Sequence, residues 1–527
     1  MSWKVPSSLL DDRELAVAAQ LKRVGRFYVF LREILTELFD DEFHSELKAA
    51  YKKTCGVPPL PPALLATVTL LQAFDQVGDA DAVVTAKMDK RWQLVLGTLG
   101  SNTAPFSQGA LVAFRRRMIE YNLDQKLLDR TVAFAKKTGL FSSQRLRAAF
   151  DSSPLVGAGR VEDTWNLLGR AISQLLECAS AITDCPEETI IAEAGLTLVN
   201  DKSVKATLDL DWDDESARNQ GLTRLMQEAQ ALTAWVKKHA TREPIEAELV
   251  QALADLDRVM EQDIEPDPDT GAPRIRKGVA KDRMPSLGDR EMRHGRKSRS
   301  QKFNGYKRHI ASDIDSELVL GALALPANHP EHEAAEELWA AVTRHGKCQD
   351  LFIDRGYLAS SVVYRLHANG GNVYSKPWHS GSRGRFRKEE FEIKLEESEV
   401  VCPAGESAPI KQRSQTAKFP SATCKPCALR TQCTAGSGGR TITIHAQEEL
   451  LIKLRAIQKT TGGRVDLRAR VKVEHGLASI GQIQGKKARY KGIRKNTLDV
   501  RRCSAVHNLQ AVKRWEKGSD REAAKAA

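Results

Sequence analysis

The order of short apolar strands and helices along the chain is the feature that most constrains its fold. Strand-like segments are predicted at 146–154, 306–312, 318–324, 351–354 and 372–375. Helical periodicity predicts one helix at 331–345, a second at 360–368 and a third that begins near Leu450. The order is therefore three strands, then helix, strand, helix, strand and a final helix. This order predicts an α/β protein with a mixed sheet and helices on its faces.

This order matches an RNase H-like core, in which the first strand, the fourth strand and the last helix meet at one end of the sheet. An acidic residue stands at each place: Asp151 and Asp354 end apolar strands, and Glu474 lies in the last helix. Any one of them taken alone also fits a strand-end cap or a surface charge. Three hard oxygen ligands suit two Mg²⁺ (or Mn²⁺) ions, which at about 3.5–4 Å apart promote phosphodiester displacement. We therefore predict that these three residues are catalytic and bind the ions.

The length of 527 residues exceeds what one hydrophobic core holds, so several domains are expected. Residues 141–160 and 281–377 are predicted to form the first part of the RNase H-like core, and 450–514 its C-terminal part, with the glutamate helix and a basic tail. The remaining segments are predicted as an α-helical N-terminal DNA-binding or assembly domain (1–140), a helical insertion ending in an acidic, proline-containing linker (161–280), a cysteine-bearing β-rich insertion (378–449) and a disordered tail (515–527).

The charge balance favours a polyanionic partner. Lysine and arginine exceed aspartate and glutamate by 12, and segment 293–308 carries seven Lys/Arg and no acid. Segment 464–495 carries ten Lys/Arg against Asp466 and Glu474. Net charge by itself does not separate DNA, RNA and an acidic membrane.

No apolar stretch is long enough to span a bilayer and no secretion signal is visible, so a cytoplasmic protein is expected.

Four of the nine cysteines cluster within 32 residues, as Cys402, Cys424, Cys427 and Cys433. Four thiolates with one Cys-x2-Cys pair satisfy tetrahedral Zn²⁺ and leave no open position, so a structural Zn²⁺ is predicted. Reduced cysteines in a flexible insert and an iron–sulfur cluster are the alternatives.

The segment Asn328-His-Pro-Glu-His-Glu also contains residues of the types that bind metals, namely His329, His332 and Glu333. Pro330, however, favours the start of a helix there.

Several motifs resemble bacterial insertion-sequence transposases of the DDE class, in the group whose last motif reads Tyr-x2-Arg-x3-Glu-x6-Lys. The motifs that carry the resemblance are Asp354-Arg-Gly-Tyr, Arg470-x3-Glu474, Gly305-Tyr-Lys-Arg-His, Arg489-Tyr-Lys-Gly-Ile-Arg-Lys, Asn508-Leu, Gly56-Val-Pro-Pro-Leu-Pro-Pro, Gln76-Val-Gly-Asp and Phe114-Arg-Arg-Arg. Cys402-Pro-Ala-Gly and Cys424-x2-Cys-x2-Arg-x2-Cys resemble the branch named for insertion sequence eleven-eighty-two. Leu467 and Gly481 stand where the group has its Tyr and Lys.

The resemblance implies a transposase that cleaves DNA at the ends of an insertion sequence and joins those ends to target DNA. Its partners would be the terminal inverted repeats and the target DNA, bound by a homodimer in a bacterial, nucleoid-associated setting. The residues expected to contact DNA are Arg470, Lys307, Arg308, Lys486, Lys487 and Arg489. A structure-specific nuclease on the same fold and a domesticated DNA-binding protein without catalysis are the alternatives.

Overall fold

A computed structural model describes residues 4–22, 25–51, 59–199, 203–240, 246–378 and 384–526, with side chains as far as 518. The N-terminal region is helical because apolar residues recur at helical spacing between well-capped ends. Asp11 and Glu14, for example, form a capping box. The helices are α1 (Asp12–Gln20), α2 (Arg26–Glu33), α3 (Leu35–Leu38), α4 (Asp41–Ala49), α5 (Pro62–Asp75), α6 (Asp79–Met88), α7 (Lys90–Leu96), α8 (Gln108–Glu120) and α9 (Leu123–Lys137). Most of the Gly56-Val-Pro-Pro motif lies outside the described residues.

A long strand, β1 (Leu146–Val156), then precedes a helical unit with its own hydrophobic core. The unit consists of α10 (Thr164–Thr183), α11 (Glu187–Ala194), α12 (Val204–Leu208), α13 (Glu215–His239) and α14 (Ala247–Asp263). It ends in a hairpin of β2 (Ile264–Pro266) and β3 (Pro273–Ile275), not in the predicted linker. The Asp267 carboxylate closes the turn by accepting hydrogen bonds from the backbone N–H groups of Asp269 and Thr270.

The central sheet is completed by five strands that follow the helical unit. They are β4 (Arg293–Arg296), β5 (Lys302–Asp313), β6 (Val319–Pro326), β7 (Cys348–Ile353) and β8 (Asn372–Tyr374), with α15 (Ala335–Thr343) and α16 (Ser361–Ala368) between the last three. The strand order is β4-β5-β1-β7-β8, and β6 also pairs with β5. Strands β1, β7 and β8 run parallel, whereas β5 runs antiparallel to β1 and β6. The mixed α/β sheet predicted from the sequence is confirmed.

The cysteine-bearing segment forms a separate small β unit around Phe391, Val400, Phe419 and Ile442. Its elements are β9 (Glu392–Lys394), β10 (Glu399–Val401), β11 (Ser407–Lys411), β12 (Thr416–Lys418), α17 (Ser421–Cys424), α18 (Arg430–Cys433) and β13 (Thr441–Thr443). The strands pair in reverse chain order, from β13 to β9, as a five-stranded sheet.

Four helices end the chain: α19 (Glu448–Lys459), α20 (Thr461–Ala469), α21 (Val471–Gln484) and α22 (Ile493–Ala526). The last helix continues through Ala526, although the sequence predicted a disordered tail from 515. Trp515 Nε1 donates a hydrogen bond to the Thr138 carbonyl and ties the beginning of that tail to the end of α9. No helix among the described residues is long and apolar enough to cross a membrane.

The N-terminal helices and the central sheet share one continuous hydrophobic core, which α22 crosses. Asn508 on α22 shows how the layers are joined. Its side-chain amide accepts from the Val319 N–H and donates to the Val319 carbonyl and to Thr131 Oγ1, at 2.8–2.9 Å. One side chain therefore connects β6, α22 and α9. The same core continues to the sheet end at which the acidic residues lie.

Candidate active site

Asp151 and Asp354 occupy corresponding positions on two neighbouring parallel strands, Asp151 within β1 and Asp354 directly after β7. Phe150 of β1 pairs with Ile353 of β7, so the next residue on each strand is an aspartate. Up to this point both strands are mostly buried, because they cross the centre of the sheet. The prediction that Asp151 ends its strand is wrong, because β1 continues to Val156 in pairing with β5. The strand β7 does end at Ile353, so Asp354 stands at the edge where that strand ends.

The helix α21 brings Glu474 to the same edge. Val473, Leu477 and Ile480 form its buried face, and the helix packs on β1 and β5. Arg470 lies one helical turn before Glu474, and its guanidinium contacts both Glu474 Oε1 at 2.7 Å and Asp151 Oδ2 at 3.3 Å. Arg470 therefore joins the glutamate helix to the first strand.

The negative charges of Glu474 and Asp354 both act on Asp151. The pKa of Asp151 is raised to about 6, chiefly by burial and in smaller part by these two charges. The Arg470 guanidinium and the Ser152 N–H, which donates to Asp151 Oδ1 at 2.8 Å, oppose this rise. Among the described residues, Arg470 is the cation that forms ion pairs with these carboxylates.

A cavity of about 640 Å³ opens beside the carboxylates. Asp354, Arg470 and Glu474 line one wall, and Leu467 also lines it. The other charged residues of its wall are all basic: Lys376, Lys459, Arg464 and Arg468. A cavity lined by both acidic and basic groups suits a phosphate backbone held next to divalent cations.

The donor set of the three carboxylates fits a hard divalent cation, because all ligand atoms are oxygens and their negative charge exceeds that of the one arginine. Across the described part of the chain, however, no three His, Cys, Asp or Glu side chains are arranged so that they could hold a metal ion. Arg470 contacts two of the three carboxylates in this conformation. Cations held by all three carboxylates would therefore require this arginine to move.

The other residues expected to contact DNA occupy two kinds of position. Lys486 and Lys487 are exposed, and Lys307 is half-buried with Nζ donating to the His329 carbonyl. Arg308 is buried, and its guanidinium donates to Gln484, Pro154 and Gly485. The guanidinium of Arg489 donates at 2.6 Å to the Gln76 and Val77 carbonyls at the end of α5. Arg308 and Arg489 thus hold elements together, which opposes their expected role as phosphate contacts.

The two departures from the transposase signature have different surroundings. Leu467 lines the cavity itself. Gly481 faces the Arg308 guanidinium, which lies 3.7 Å from the place where a Cβ would stand. A cationic group from β5 therefore lies next to the position at which the signature has lysine.

Segment 293–308, predicted as a basic DNA contact, folds as the β4–β5 hairpin. Arg293 at its base is buried and paired with Asp282 at 2.7 Å. The exposed basic residues cluster around the tip: Arg296, Lys297, Arg299 and Lys302. Only the tip of this segment is therefore open to a polyanion.

Sequence reasoning missed Glu331 as a member of this site. It begins a 3₁₀ turn, Glu331–Ala334, that follows β6, and Ser152 Oγ donates to its Oε1 at 2.6 Å. The sequence signal was the segment Asn328-His-Pro-Glu-His-Glu, for which a helix-start region at Pro330 was favoured over a metal site of His329, His332 and Glu333. His329 and Glu333 instead form an ion pair with each other at 2.6 Å.

The four clustered cysteines line one small cavity of about 30 Å³ in the β unit. All four are free thiols and half-buried. Burial raises the pKa of Cys433, and the negative charges of Cys424, Cys402 and Cys427 raise it further, against the effect of Arg440. The predicted convergence of these residues is thus seen, although they are not arranged here as metal ligands.

Two segments of the chain match transposase families. Residues 401–512, which include Glu474 and the four cysteines, match the model of a transposase DDE domain. Residues 20–117, in the N-terminal helices, match that of a transposase domain (DUF772). No curated protein and no solved structure matches the chain. The two matches support a transposase.

Proposed function

We propose that this protein is a DDE transposase with an RNase H-like core, which cleaves DNA at the ends of an insertion sequence and joins those ends to target DNA. The observation that carries the proposal is the meeting of Asp151, Asp354 and Glu474, from three distant segments, at one sheet end beside a basic cavity. The sheet order, with β5 and β6 antiparallel on one side of β1 and β7 and β8 parallel on the other, is the order expected of such a core.

The three carboxylates are the proposed ligands of two Mg²⁺ or Mn²⁺ ions. Bound there, the ions would activate the attacking water or 3′-hydroxyl and stabilise the leaving oxygen. The protein positions the strand: the basic residues around the cavity bind phosphates, and Arg470 contacts the phosphate beside the scissile bond. That contact requires Arg470 to leave Asp151 and Glu474, so DNA binding frees both carboxylates.

Contacts with the rest of the DNA are proposed for exposed basic residues outside the cavity. Lys486 and Lys487 follow α21 directly, and the tip of the β4–β5 hairpin adds further Lys and Arg side chains. These positive charges act through displaced counterions, so DNA affinity should fall as salt rises. Both ends of an element must be brought together for joining, and we therefore propose a homodimer in the DNA complex.

We also propose a structural Zn²⁺ for Cys402, Cys424, Cys427 and Cys433, in keeping with the eleven-eighty-two branch. The four thiols line one cavity, and the surrounding unit has a core of only a few large apolar side chains. A metal would supply folding free energy that such a core lacks.

The decisive experiment separates cleavage from binding. The DNA that flanks the gene, with its terminal inverted repeats, is incubated with the full-length protein and Mg²⁺, and strand cleavage is read on a denaturing gel. Asp151→Asn, Asp354→Asn and Glu474→Gln should each lose cleavage and joining but keep DNA binding, because affinity rests on basic residues elsewhere. Glu474→Gln is the sharpest of these variants, since it keeps size and helix propensity.

The matched control is Glu449→Gln on α19, whose exposed carboxylate pairs with Lys453 at 2.8 Å. It should cleave like the wild type. A wild-type protein that binds the repeats without cutting them would favour the domesticated DNA-binding protein. Cleavage of branched DNA without preference for the element end would favour the nuclease. Full activity of Glu474→Gln would refute the assignment of the site.

A further inference from the structure

A fourth carboxylate, that of Glu331, contacts the strand that carries Asp151. Ser152 Oγ donates a hydrogen bond to Glu331 Oε1 at 2.6 Å. Ser152 also donates its backbone N–H to Asp151 Oδ1 at 2.8 Å. Glu331 therefore holds the residue whose own N–H orients the first catalytic carboxylate.

Glu331 also packs against the turn that carries Asp354. Gly356 lies two residues after Asp354, and a Cβ at Gly356 would overlap Glu331 Oε2. The backbone at Gly356 is close to the Glu331 carboxylate because the residue has no side chain. The Asp354-Arg-Gly-Tyr motif thus contains a glycine that this contact requires.

The hydrogen bond from Ser152 and the contact with Gly356 are what hold Glu331 in place, and no ion pair does so among the described residues. The ion pairs of this site join Arg470 to Asp151 and Glu474, and none among the described residues reaches Glu331. Below the carboxylates, the buried Tyr357 hydroxyl contacts His309 Nδ1 at 2.8 Å. Burial raises the pKa of Tyr357 well above its usual value, and the charges of Glu331, Asp151 and Asp354 raise it further. Glu331 thus lies half-buried beside the groups that surround Asp151 and Asp354.

We propose that Glu331 is a positioning residue of the active site, which orients Asp151 through Ser152 and Asp354 through the backbone at Gly356. The inference rests on the proposed function, because it takes the two aspartates as ligands of divalent cations. Glu331 acts as a hydrogen-bond acceptor and a packing group, and does not itself contact the cation or the DNA. Loss of such a supporting group typically costs a metal site about 10- to 100-fold in affinity or activity.

The test compares Glu331→Ala with Glu331→Gln, since glutamine keeps an acceptor oxygen for Ser152 and a similar size. Mn²⁺ binding to the DNA-free, full-length protein is measured by calorimetry, and cleavage of the element end is measured in parallel. Glu331→Ala and Ser152→Ala should each weaken Mn²⁺ binding and cleavage about tenfold or more. Glu331→Gln should stay near the wild type in both. If Glu331→Gln is as damaging as Glu331→Ala, Glu331 is a direct ligand and the proposal is overturned.

Double variants test the two contacts separately. Because Glu331 and Ser152 act through one hydrogen bond, Glu331→Ala/Ser152→Ala should be no worse than either single variant. Gly356→Ala should weaken Mn²⁺ binding in the wild type by displacing the Glu331 carboxylate. The same change should have a clearly smaller effect in a Glu331→Ala background. Additive effects in both pairs would overturn the positioning role.

Glu333→Ala is the matched control, because Glu333 lies on the same turn and pairs only with His329 among the ion pairs described. It should leave Mn²⁺ binding and cleavage unchanged. The Mn²⁺ measurements also keep this inference distinct from the proposed function. Suppose that Asp354→Asn binds Mn²⁺ less well than the wild type, but the wild type does not cleave DNA. The transposase proposal then fails, whereas the Mn²⁺ affinities of the Glu331 variants still decide the role of Glu331.

Discussion

At the scale of single residues, Asp151 has a measurable electrostatic cost in the absence of metal. Its pKa, raised by burial to about 6, lies above the ordinary value of 3.8. The native state therefore holds the proton more tightly than the unfolded chain, and this contribution to stability is present below pH 4 and lost as the pH rises through about 6. A shift of two units corresponds to about 3 kcal/mol at most.

Replacing this carboxylate should remove the cost. In EDTA, Asp151→Asn should be more stable than the wild type by about 1–3 kcal/mol at pH 7.5, and the gap should close towards pH 4. Urea denaturation at several pH values measures the difference. Asp257→Asn, at an exposed position of α14, is the control and should show no such gap. A gap that stays constant from pH 4 to 7.5 would contradict the electrostatic explanation.

At the scale of elements, the cysteine-bearing β unit is expected to depend on its metal. Its four thiols line one small cavity, where burial first and then the charges of the other three cysteines raise the pKa of Cys433. Four thiolates together therefore require a compensating cation. We expect one Zn²⁺ per chain, measured by elemental analysis of protein purified without chelators. Cys427→Ser should lower the zinc content and make residues 384–445 sensitive to trypsin, since the local core is small.

Cys185→Ser, at a half-buried cysteine of the helical unit, is the matched control for this experiment. It should leave the zinc content and the digestion pattern unchanged. Zinc-free wild-type protein with a trypsin-resistant β unit would show that the unit folds without metal. Such a result would remove the zinc site but would not affect the carboxylates.

At the scale of the whole molecule, the N-terminal helices are expected to unfold together with the central sheet. The carboxylate of Asp124 on α9 is fully buried and pairs with Arg494 at 2.6 Å and with Arg501 at 3.1 Å, both on α22. Asp124→Ala leaves Arg501 buried without this partner, which should lower the free energy of unfolding by about 3–5 kcal/mol. The N-terminal helices and the central sheet should still unfold in one common transition, shifted to lower urea.

The control is Glu46→Ala, which removes an exposed ion pair with Lys126 at 3.4 Å. An exposed pair contributes at most about 1 kcal/mol, so little change is expected. If Asp124→Ala splits the unfolding into two transitions, the N-terminal region is an independently stable domain. The shared core argues against that outcome.

Much of the fold could be predicted from the sequence because its signals are local. The strands β1, β5, β6, β7 and β8 and the helices α15 and α16 lie where apolar periodicity indicated them. The β2–β3 hairpin was missed because its turn, Asp267-Pro-Asp-Thr-Gly, has the composition of a linker. The helical end of α22 was missed because its charged and small residues carry no apolar stripe.

The sequence by itself determined the mixed sheet, the strand end at Asp354 and the helix that carries Glu474. Strand ends, helix faces and i,i+4 pairs such as Arg470 and Glu474 depend on neighbours along the chain. Only the tertiary structure decided which polar groups meet. The contact of Ser152 with Glu331 joins residues 179 positions apart, and the burial of Arg308 depends on carbonyls from two other segments. Such contacts arise when packing brings distant elements together, and no local pattern records them.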